Sequence, residues 1–146
     1  MSKRAGGGLC GAVRFDADLI KPEFGACHCK MCRRWTGSAL LGITVPADNI
    51  IWQGEDYIAT RQTSGWAMRA RCWECGSALY FRVTAEGRNS GGIELPIGLF
   101  DDANGLTRTD EIYIDHKPDS FAYAGTGRNV MTRQGCIDKF SLLESE

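Results

Sequence analysis

The run Cys27-His28-Cys29-Lys30-Met31-Cys32 places three thiols within six residues. A second group, Cys72-Trp73-Glu74-Cys75-Gly76, places two more on a stretch that ends in glycine, and Cys10 stands apart near the start of the chain. Thiols two or three positions apart on a tight turn can converge on one ion, and tetrahedral zinc prefers thiolate sulfur at about 2.3 Å. The spacing therefore predicts zinc-binding loops, and the first run supplies three ligands and leaves a fourth position open for chemistry.

Two arrangements of these cysteines are compatible with zinc. In one, a single four-thiolate site combines both groups through Cys29, Cys32, Cys72 and Cys75, although the 39 intervening residues exceed the spacing of small zinc ribbons. In the other, each group has its own ion, with Cys27, Cys29 and Cys32 at one site and Cys10, Cys72 and Cys75 at a structural site. The second arrangement accounts for six of the seven cysteines. The remaining one, Cys136, has the isolated position typical of a small buried hydrophobic residue.

Composition sets limits on the class of protein. A chain of 146 residues predicts one domain over residues 1–146, with a tail at 125–146 that shows little pattern. The net charge of -1 argues against nucleic acid as a partner. The longest apolar run, 39–45, is too short to span a membrane, and the N-terminus lacks the apolar stretch of a secretory signal. We therefore expect a cytoplasmic protein with reduced cysteines, which favours metal binding over disulfides.

Alternation of apolar and polar residues predicts a mainly β fold of mostly antiparallel strands. The clearest alternating segments are 12–15, 41–45, 66–71, 79–83 and 111–115, and weaker ones are 50–52, 56–61 and 93–97. Short helical turns are expected at 46–49 and 118–121. No window sustains a helical period for three turns, so the cysteine groups are expected on loops between strands.

The order of motifs resembles a known family. The chain carries GGLCGAVRF at 7–15, CHCKMCRRWTGS at 27–38, CWECGSAL at 72–79, GLFDD at 98–102 and EIYI at 111–114. This series is similar to the glutathione-dependent formaldehyde-activating enzymes, a family that includes the centromere protein V domain, over about residues 7–121. The resemblance implies a β-tent fold of antiparallel sheets with two zinc sites. It also implies a carbon–sulfur lyase that acts on an adduct of glutathione or another small thiol.

The resemblance also implies roles for individual residues. Cys27, Cys29 and Cys32 match the catalytic zinc motif, and Cys10, Cys72 and Cys75 match the structural one. Family members usually carry Cys-x-Cys-Gly at the first motif, and here Gly8 stands where the first cysteine is expected. The structural site is therefore one protein ligand short. Water, Cys136 or His116 could complete it, or the ion could bind weakly or be absent.

Cations near the first run matter for the chemistry. Zinc with three thiolates carries a formal charge of -1, and a substrate thiolate would bring it to -2, which is costly unless cations lie close by. Lys30, Arg33 and Arg34 follow or interrupt the motif and are the expected substrate-binding residues, since arginine also matches the carboxylates of an anionic thiol peptide. His28, between two ligands, is expected to be exposed.

Two other functions fit the same motifs. A non-catalytic, zinc-stabilised binding module would need a fourth side chain at Cys27, Cys29 and Cys32, whereas an enzyme would leave that position free. A redox switch would pair the same cysteines reversibly in disulfides. The oligomeric state and the identity of the thiol are not encoded in these patterns.

Overall fold

The fold combines two β-sheets with two short helices, as seen in a computed structural model that describes residues 2–85 and 91–140. The strands are β1 (Ser2–Gly7), β2 (Arg14–Leu19), β3 (Glu23–Cys27), β4 (Leu40–Pro46), β5 (Ile50–Gln53), β6 (Ile58–Gln62), β7 (Ala67–Cys72), β8 (Ala78–Val83), β9 (Gly92–Pro96), β10 (Thr107–Ile112) and β11 (Asn129–Met131). The helices are α1 (Lys30–Thr36) and α2 (Arg133–Phe140). Single turns of 3-10 helix lie at Ala47–Asn49, Glu55–Tyr57, Ile97–Leu99 and Ile114–His116. The predicted mainly β class is confirmed.

The strands form a small and a large sheet. The small sheet has the order β1-β2-β5, and the large one has the order β11-β10-β3-β4-β9-β8-β7-β6. All pairs are antiparallel except those of β10, which runs parallel to both β3 and β11. Parallel pairing joins segments that are distant in sequence, and here it brings the C-terminal quarter of the chain beside the first cysteine run.

The large sheet has one face in the main core and one face toward a cavity. Ile43, Val45 and Leu95 point into the core, where they pack with buried residues of β2 such as Phe15. On the opposite face, directly paired residues share an orientation across neighbouring strands. On that face, Cys27 of β3 pairs with Leu40 of β4 near the first cysteine run. Four residues further along β4, a row of paired residues crosses the sheet and contains Thr44, Glu94, Phe81 and Arg69.

Most strand predictions from alternation are confirmed, including the weaker ones that became β5, β6 and β9. The segment 111–115 is only partly a strand. β10 ends at Ile112 because Tyr113 adopts a left-handed backbone with φ of 56°, and a 3-10 helix follows. The helical turn expected at 46–49 is present, whereas 118–121 contains a turn without helix.

Alternation did not indicate β1, β3, β11 or the two helices. β3 contains Gly25 and Ala26, which have low strand propensity, and its position depends on pairing with β4 and β10. α1 spans only seven residues, too few to display a helical period. Among the described residues, no helix has the length and apolarity needed to cross a membrane.

Candidate metal centres

Three cysteines converge where β3 gives way to α1. Cys27 is the last residue of β3, Cys29 is the N-cap of α1, and Cys32 lies in the first turn of that helix. The Cys32 amide donates a hydrogen bond to the Cys29 sulfur at 3.3 Å, which fixes the entry to the helix. The left-handed Gly37, with φ of 83°, ends it. We call these three cysteines the first centre.

The donor set of the first centre fits a zinc ion. The three sulfur atoms lie within 4.8 Å of one another, and tetrahedral zinc with bonds of about 2.3 Å requires sulfurs roughly 3.8 Å apart. Cys29 and Cys32 are buried, with 6% and 4% exposed surface. Within 2–85 and 91–140, no fourth His, Cys, Asp or Glu joins this group.

The thiols of the first centre differ in acidity. Hydrogen bonds from Cys27 and Cys29, together with the nearby Arg69, hold the pKa of Cys32 well below its usual range. Hydrogen bonding with Cys29 and Cys32, together with burial, raises the pKa of Cys27 well above it. One thiolate is therefore favoured before any metal binds, and thiolate is the form that ligates zinc.

A buried cation lies against the first centre. The two terminal nitrogens of Arg69, on β7, lie 3.9 and 3.8 Å from the Cys32 sulfur. The guanidinium is held between two aromatic rings, 4.7 Å from the centroid of Trp35 and 4.8 Å from that of Phe81. Arg69 is only 6% exposed, so its charge acts in a poorly solvated environment.

The second cysteine group forms a separate centre. Cys10, Cys72 and Cys75 bring their sulfurs within 4.8 Å of one another, and the Cys10 and Cys72 sulfurs are 3.8 Å apart. We call these three the second centre. Its spacing also fits zinc, and the grouping agrees with two separate sites rather than one four-thiolate site. Within the second centre, Cys10 is exposed, Cys75 is half-buried and Cys72 is fully buried.

Gly8 lies where the missing fourth ligand would be. A Cβ added to Gly8 would meet the Ser77 side chain at 3.3 Å and the Cys72 Cβ at 3.7 Å. The Ser77 hydroxyl lies 3.2 Å from the Cys75 sulfur and accepts a hydrogen bond from the Leu9 amide at 2.9 Å. Hydrogen bonding from Ser77 lowers the pKa of Cys75 to about 6. Ser77 thus occupies the neighbourhood of the absent cysteine.

The two residues suggested as a fourth ligand of the second centre lie elsewhere. Cys136, on α2, is fully buried and packs in the cluster that contains Cys29 and Cys32. His116 contacts the ring of Tyr113 in an edge-on arrangement, with centroids 5.5 Å apart. Neither residue belongs to the cysteine group around Cys10. The expectation that Cys136 is a buried small residue agrees with its position.

His28 is buried, so the expectation that it is exposed is wrong. Only 1% of its surface is accessible, and its Nε2 lies 2.8 Å from a carboxylate oxygen of Glu111. The other oxygen of Glu111 accepts a hydrogen bond from Arg128 at 2.8 Å. The ring of Tyr123 stacks on the imidazole with centroids 5.8 Å apart. His28 follows the last residue of β3 and faces Glu111 rather than the cysteines on either side, and the rings of Phe121 and Tyr123 cover it.

The first centre opens into a cavity of about 890 Å³. All three of its cysteines line this cavity, and so do Arg69, Phe81 and Glu94. Glu94 accepts a hydrogen bond from the Thr44 hydroxyl, and burial raises the pKa of its carboxyl to about 7. The volume falls within the range of small-molecule sites.

The basic residues predicted from the motif lie on the outer side of α1. Lys30, Arg33 and Arg34 are exposed, and none of them lines the cavity. Arg69 was not predicted, because it is 37 residues from Cys32 and its contact depends on the sheet. The available signal was a charged residue inside a predicted strand, with the small residues Ala67 and Ala70 close to it in sequence.

Comparison with known proteins places this chain beside a family model, a curated relative and a solved structure. The family model described as glutathione-dependent formaldehyde-activating enzyme matches residues 3–116. A protein of Schizosaccharomyces pombe named as an uncharacterized lyase is 30% identical over 124 residues, covering 85% of this chain and 88% of the relative. A crystal structure of a Rhodobacter sphaeroides protein has a TM-score of 0.57 and 19% identity, covering 72% of this chain and 99% of that chain. The last match concerns the fold alone.

Proposed function

Because the chain belongs to the family of glutathione-dependent formaldehyde-activating enzymes, we propose that it is a zinc-dependent carbon–sulfur lyase. Its substrate is the adduct of formaldehyde with glutathione or another small thiol. The observation that carries this proposal is the opening of the first centre into a cavity of about 890 Å³. A centre closed by a fourth side chain would favour a binding module, and within the described residues none joins the three cysteines.

The reaction is the reversible formation of a hemithioacetal. In the synthetic direction the thiol loses its proton, the sulfur attacks the carbonyl carbon of formaldehyde to form a C–S bond, and the carbonyl oxygen takes up a proton as its π bond breaks. In the lyase direction the hydroxyl loses its proton, the C–S bond breaks as the C=O bond re-forms, and the released thiolate takes up a proton. Zinc held by Cys27, Cys29 and Cys32 would supply a Lewis acid that favours sulfur in its thiolate form.

The residues around the first centre would support this chemistry in distinct ways. Cys27, Cys29 and Cys32 would hold the ion and place the reacting sulfur at the cavity wall. Arg69 would offset the negative charge that accumulates when a fourth thiolate joins three others, since its guanidinium lies within 4 Å of the Cys32 sulfur. Trp35 and Phe81 keep the guanidinium in place and exclude water from it.

The remaining assignments are part of the same proposal. The second centre would hold a structural ion through Cys10, Cys72 and Cys75. Lys30, Arg33 and Arg34 would attract an anionic thiol toward the entrance rather than touch it in the cavity. Ligation by reduced thiols suits a cytoplasmic location, where glutathione keeps cysteines reduced.

Cysteine variants test the proposal. Cys29→Ser and Cys32→Ser should each lose the zinc of the first centre and about a hundredfold or more of the lyase turnover, because the Lewis acid is lost. Zinc per chain and breakdown of the glutathione–formaldehyde adduct are the measurements. Cys136→Ala is the matched control, since that thiol is buried in the same cluster without belonging to the group.

The outcome separates the enzyme from its rival. Retention of zinc and turnover in Cys136→Ala, with loss in the other two variants, supports an open catalytic centre. Loss of zinc in Cys136→Ala would make Cys136 a fourth ligand and favour a structural module. Unchanged zinc and turnover in Cys29→Ser and Cys32→Ser would contradict the proposal.

A further inference from the structure

We infer that Glu94 forms a subsite for a positively charged amino group of the thiol substrate, in the same cavity as the first centre. This inference rests on the proposed function and specifies which thiols the protein accepts. The cavity of about 890 Å³ is far larger than formaldehyde requires, so it has room for the body of the thiol as well.

The strand register sets the distance between the first centre and Glu94. Cys27 pairs with Leu40 and Glu94 pairs with Thr44, so the two pairs are four residues apart along β4. Cys27 and Glu94 also lie on opposite sides of β4, two strand spacings of about 4.8 Å apart. Together with a rise of about 3.3 Å per residue, this gives roughly 16 Å between their backbone positions. The Glu94 carboxylate extends over Gly42 toward the first centre, which shortens the separation between the carboxylate and the Cys27 sulfur to roughly 10 Å. The sulfur and the ammonium group of extended glutathione span about 8 Å, and a hydrogen bond adds about 3 Å. A peptide-sized thiol therefore fits between the centre and Glu94.

Glu94 is placed to bind rather than to transfer a proton. In the row of paired residues across the sheet, Phe81 lies between Arg69 and Glu94, so its ring separates the carboxylate from the guanidinium at the first centre. A general acid or base must come within hydrogen-bond reach of the reacting group. The Phe81 ring between the two groups therefore favours a binding role for Glu94 over proton transfer at the first centre.

The carboxylate lacks a cationic partner in the parts of the chain that the structure describes. Its hydrogen-bond donor is the neutral Thr44 hydroxyl, and no Lys, Arg or His of residues 2–85 and 91–140 forms an ion pair with it. Burial without a cation is also the cause of its raised pKa. An ammonium group from a ligand would supply the missing charge.

Gly42 leaves the space that this arrangement needs. A Cβ on Gly42 would come within 3.1 Å of one Glu94 oxygen, so the carboxylate extends over β4 toward the side of the first centre. The predicted substrate class is a thiol with an ammonium group at peptide distance from its sulfur. Glutathione belongs to this class, and N-acetylglutathione does not.

Paired thiols and paired variants test the inference. The zinc-loaded full chain is titrated calorimetrically with glutathione and with N-acetylglutathione, and breakdown of both formaldehyde adducts is measured. The proteins are wild type, Glu94→Gln and the control Glu55→Gln, whose carboxylate is exposed on another element. We expect wild type and the control to prefer glutathione by about tenfold or more, and Glu94→Gln to lose that preference through weaker glutathione binding.

Each outcome decides between the two claims. If adducts are cleaved but wild type does not distinguish the thiols, the Glu94 inference is wrong and the proposed function stands. If no adduct is cleaved but binding depends on the ammonium group and on Glu94, the subsite stands and the lyase proposal fails. Equal loss of turnover for both thiols in Glu94→Gln, with affinities unchanged, would indicate proton transfer and overturn the inference.

Discussion

At the scale of single residues, Gly8 decides how the second centre can bind an ion. A Cβ at this position would lie 3.3 Å from the Ser77 side chain and 3.7 Å from the Cβ of Cys72, so a side chain there would be next to one of the three ligands. A structural zinc site normally has four protein ligands. With three, and with Cys10 exposed, the second centre leaves one position to water or to a small ligand.

Gly8→Cys should complete the second centre. We expect tighter zinc binding there, by about tenfold or more, because a fourth thiolate replaces a weaker ligand and the position tolerates a Cβ with contacts of 3.3 Å or longer. Zinc retained per chain in the presence of a competing chelator is the measurement. Gly65→Cys is the control, since it adds a thiol in open space on the β6–β7 turn. Equal retention in wild type and Gly8→Cys would show that the site already has four ligands.

The sequence predicts the cysteine ligands of the site but not the residues that surround them, and the reason is physical. The cysteines could be grouped because their ligand spacing is local. Arg69, Glu94 and Ser77 could not be assigned, because each reaches its partner through strand pairing or a turn that alternation does not specify. His28 was expected to be exposed, since nothing near it in sequence reveals Glu111 as its partner.

At the scale of elements, the first centre depends on the junction between β3 and α1. β3 ends at Cys27 and α1 begins after Cys29, so the change from strand to helix brings three thiols together over six residues. β7 approaches from the side and contributes Arg69. Short elements with little pattern of their own are thus positioned by pairing with longer strands that alternation does predict.

Removing the charge of Arg69, which lies on β7 beside Cys32 of α1, should weaken thiol binding. We expect Arg69→Met to bind glutathione about tenfold or more weakly once zinc is loaded, because the excess negative charge of four thiolates is no longer offset. Arg69→Lys should retain part of the affinity, since it keeps the charge and loses the planar contact with Trp35 and Phe81. Calorimetric titration with glutathione measures both variants.

Two further variants give this experiment its controls. Arg61→Met removes an exposed charge of β6 and should leave binding unchanged. Arg33→Met tests the cation expected from the sequence, which lies on the exposed side of α1. Wild-type affinity in Arg69→Met, together with weakened binding in Arg33→Met, would transfer the role to the helix.

At the scale of the whole molecule, the C-terminal segment closes over the loop that holds the first centre. Arg128 donates to Glu111 on β10 and also to the backbone carbonyls of Tyr123 and Gly125, so it links the tail to the large sheet. Glu111 in turn holds His28, which stands between two cysteines of the first centre. The resemblance inferred from the motifs covers residues 7–121, and the family model matches residues 3–116. Arg128 lies beyond both ranges, so the contact between Arg128 and Glu111 ties a segment outside the family pattern to the large sheet.

Breaking this link should destabilise the fold and loosen the first centre. Glu111 is 2% exposed, and removing one partner of a buried charge pair typically costs about 3 kcal/mol or more. We therefore expect Arg128→Met to lower the free energy of unfolding by about 3 kcal/mol in urea titration at fixed zinc. It should also lose zinc to a competing chelator faster than wild type, because His28 and the cysteines beside it are no longer held in place.

A double variant and a neighbouring contact make the test specific. Glu111→Gln combined with Arg128→Met should recover part of the lost stability, since the buried carboxylate no longer carries an unpaired charge. Asn129→Ala removes an exposed hydrogen bond to Asp110 one residue further along, and its effect should stay below about 1 kcal/mol. Wild-type stability in Arg128→Met would show that Glu111 is neutral or paired through His28 alone. The C-terminal segment would then contribute no charge to the contacts among His28, Glu111 and Arg128. The first centre would therefore be held in place by the large sheet and α1 alone.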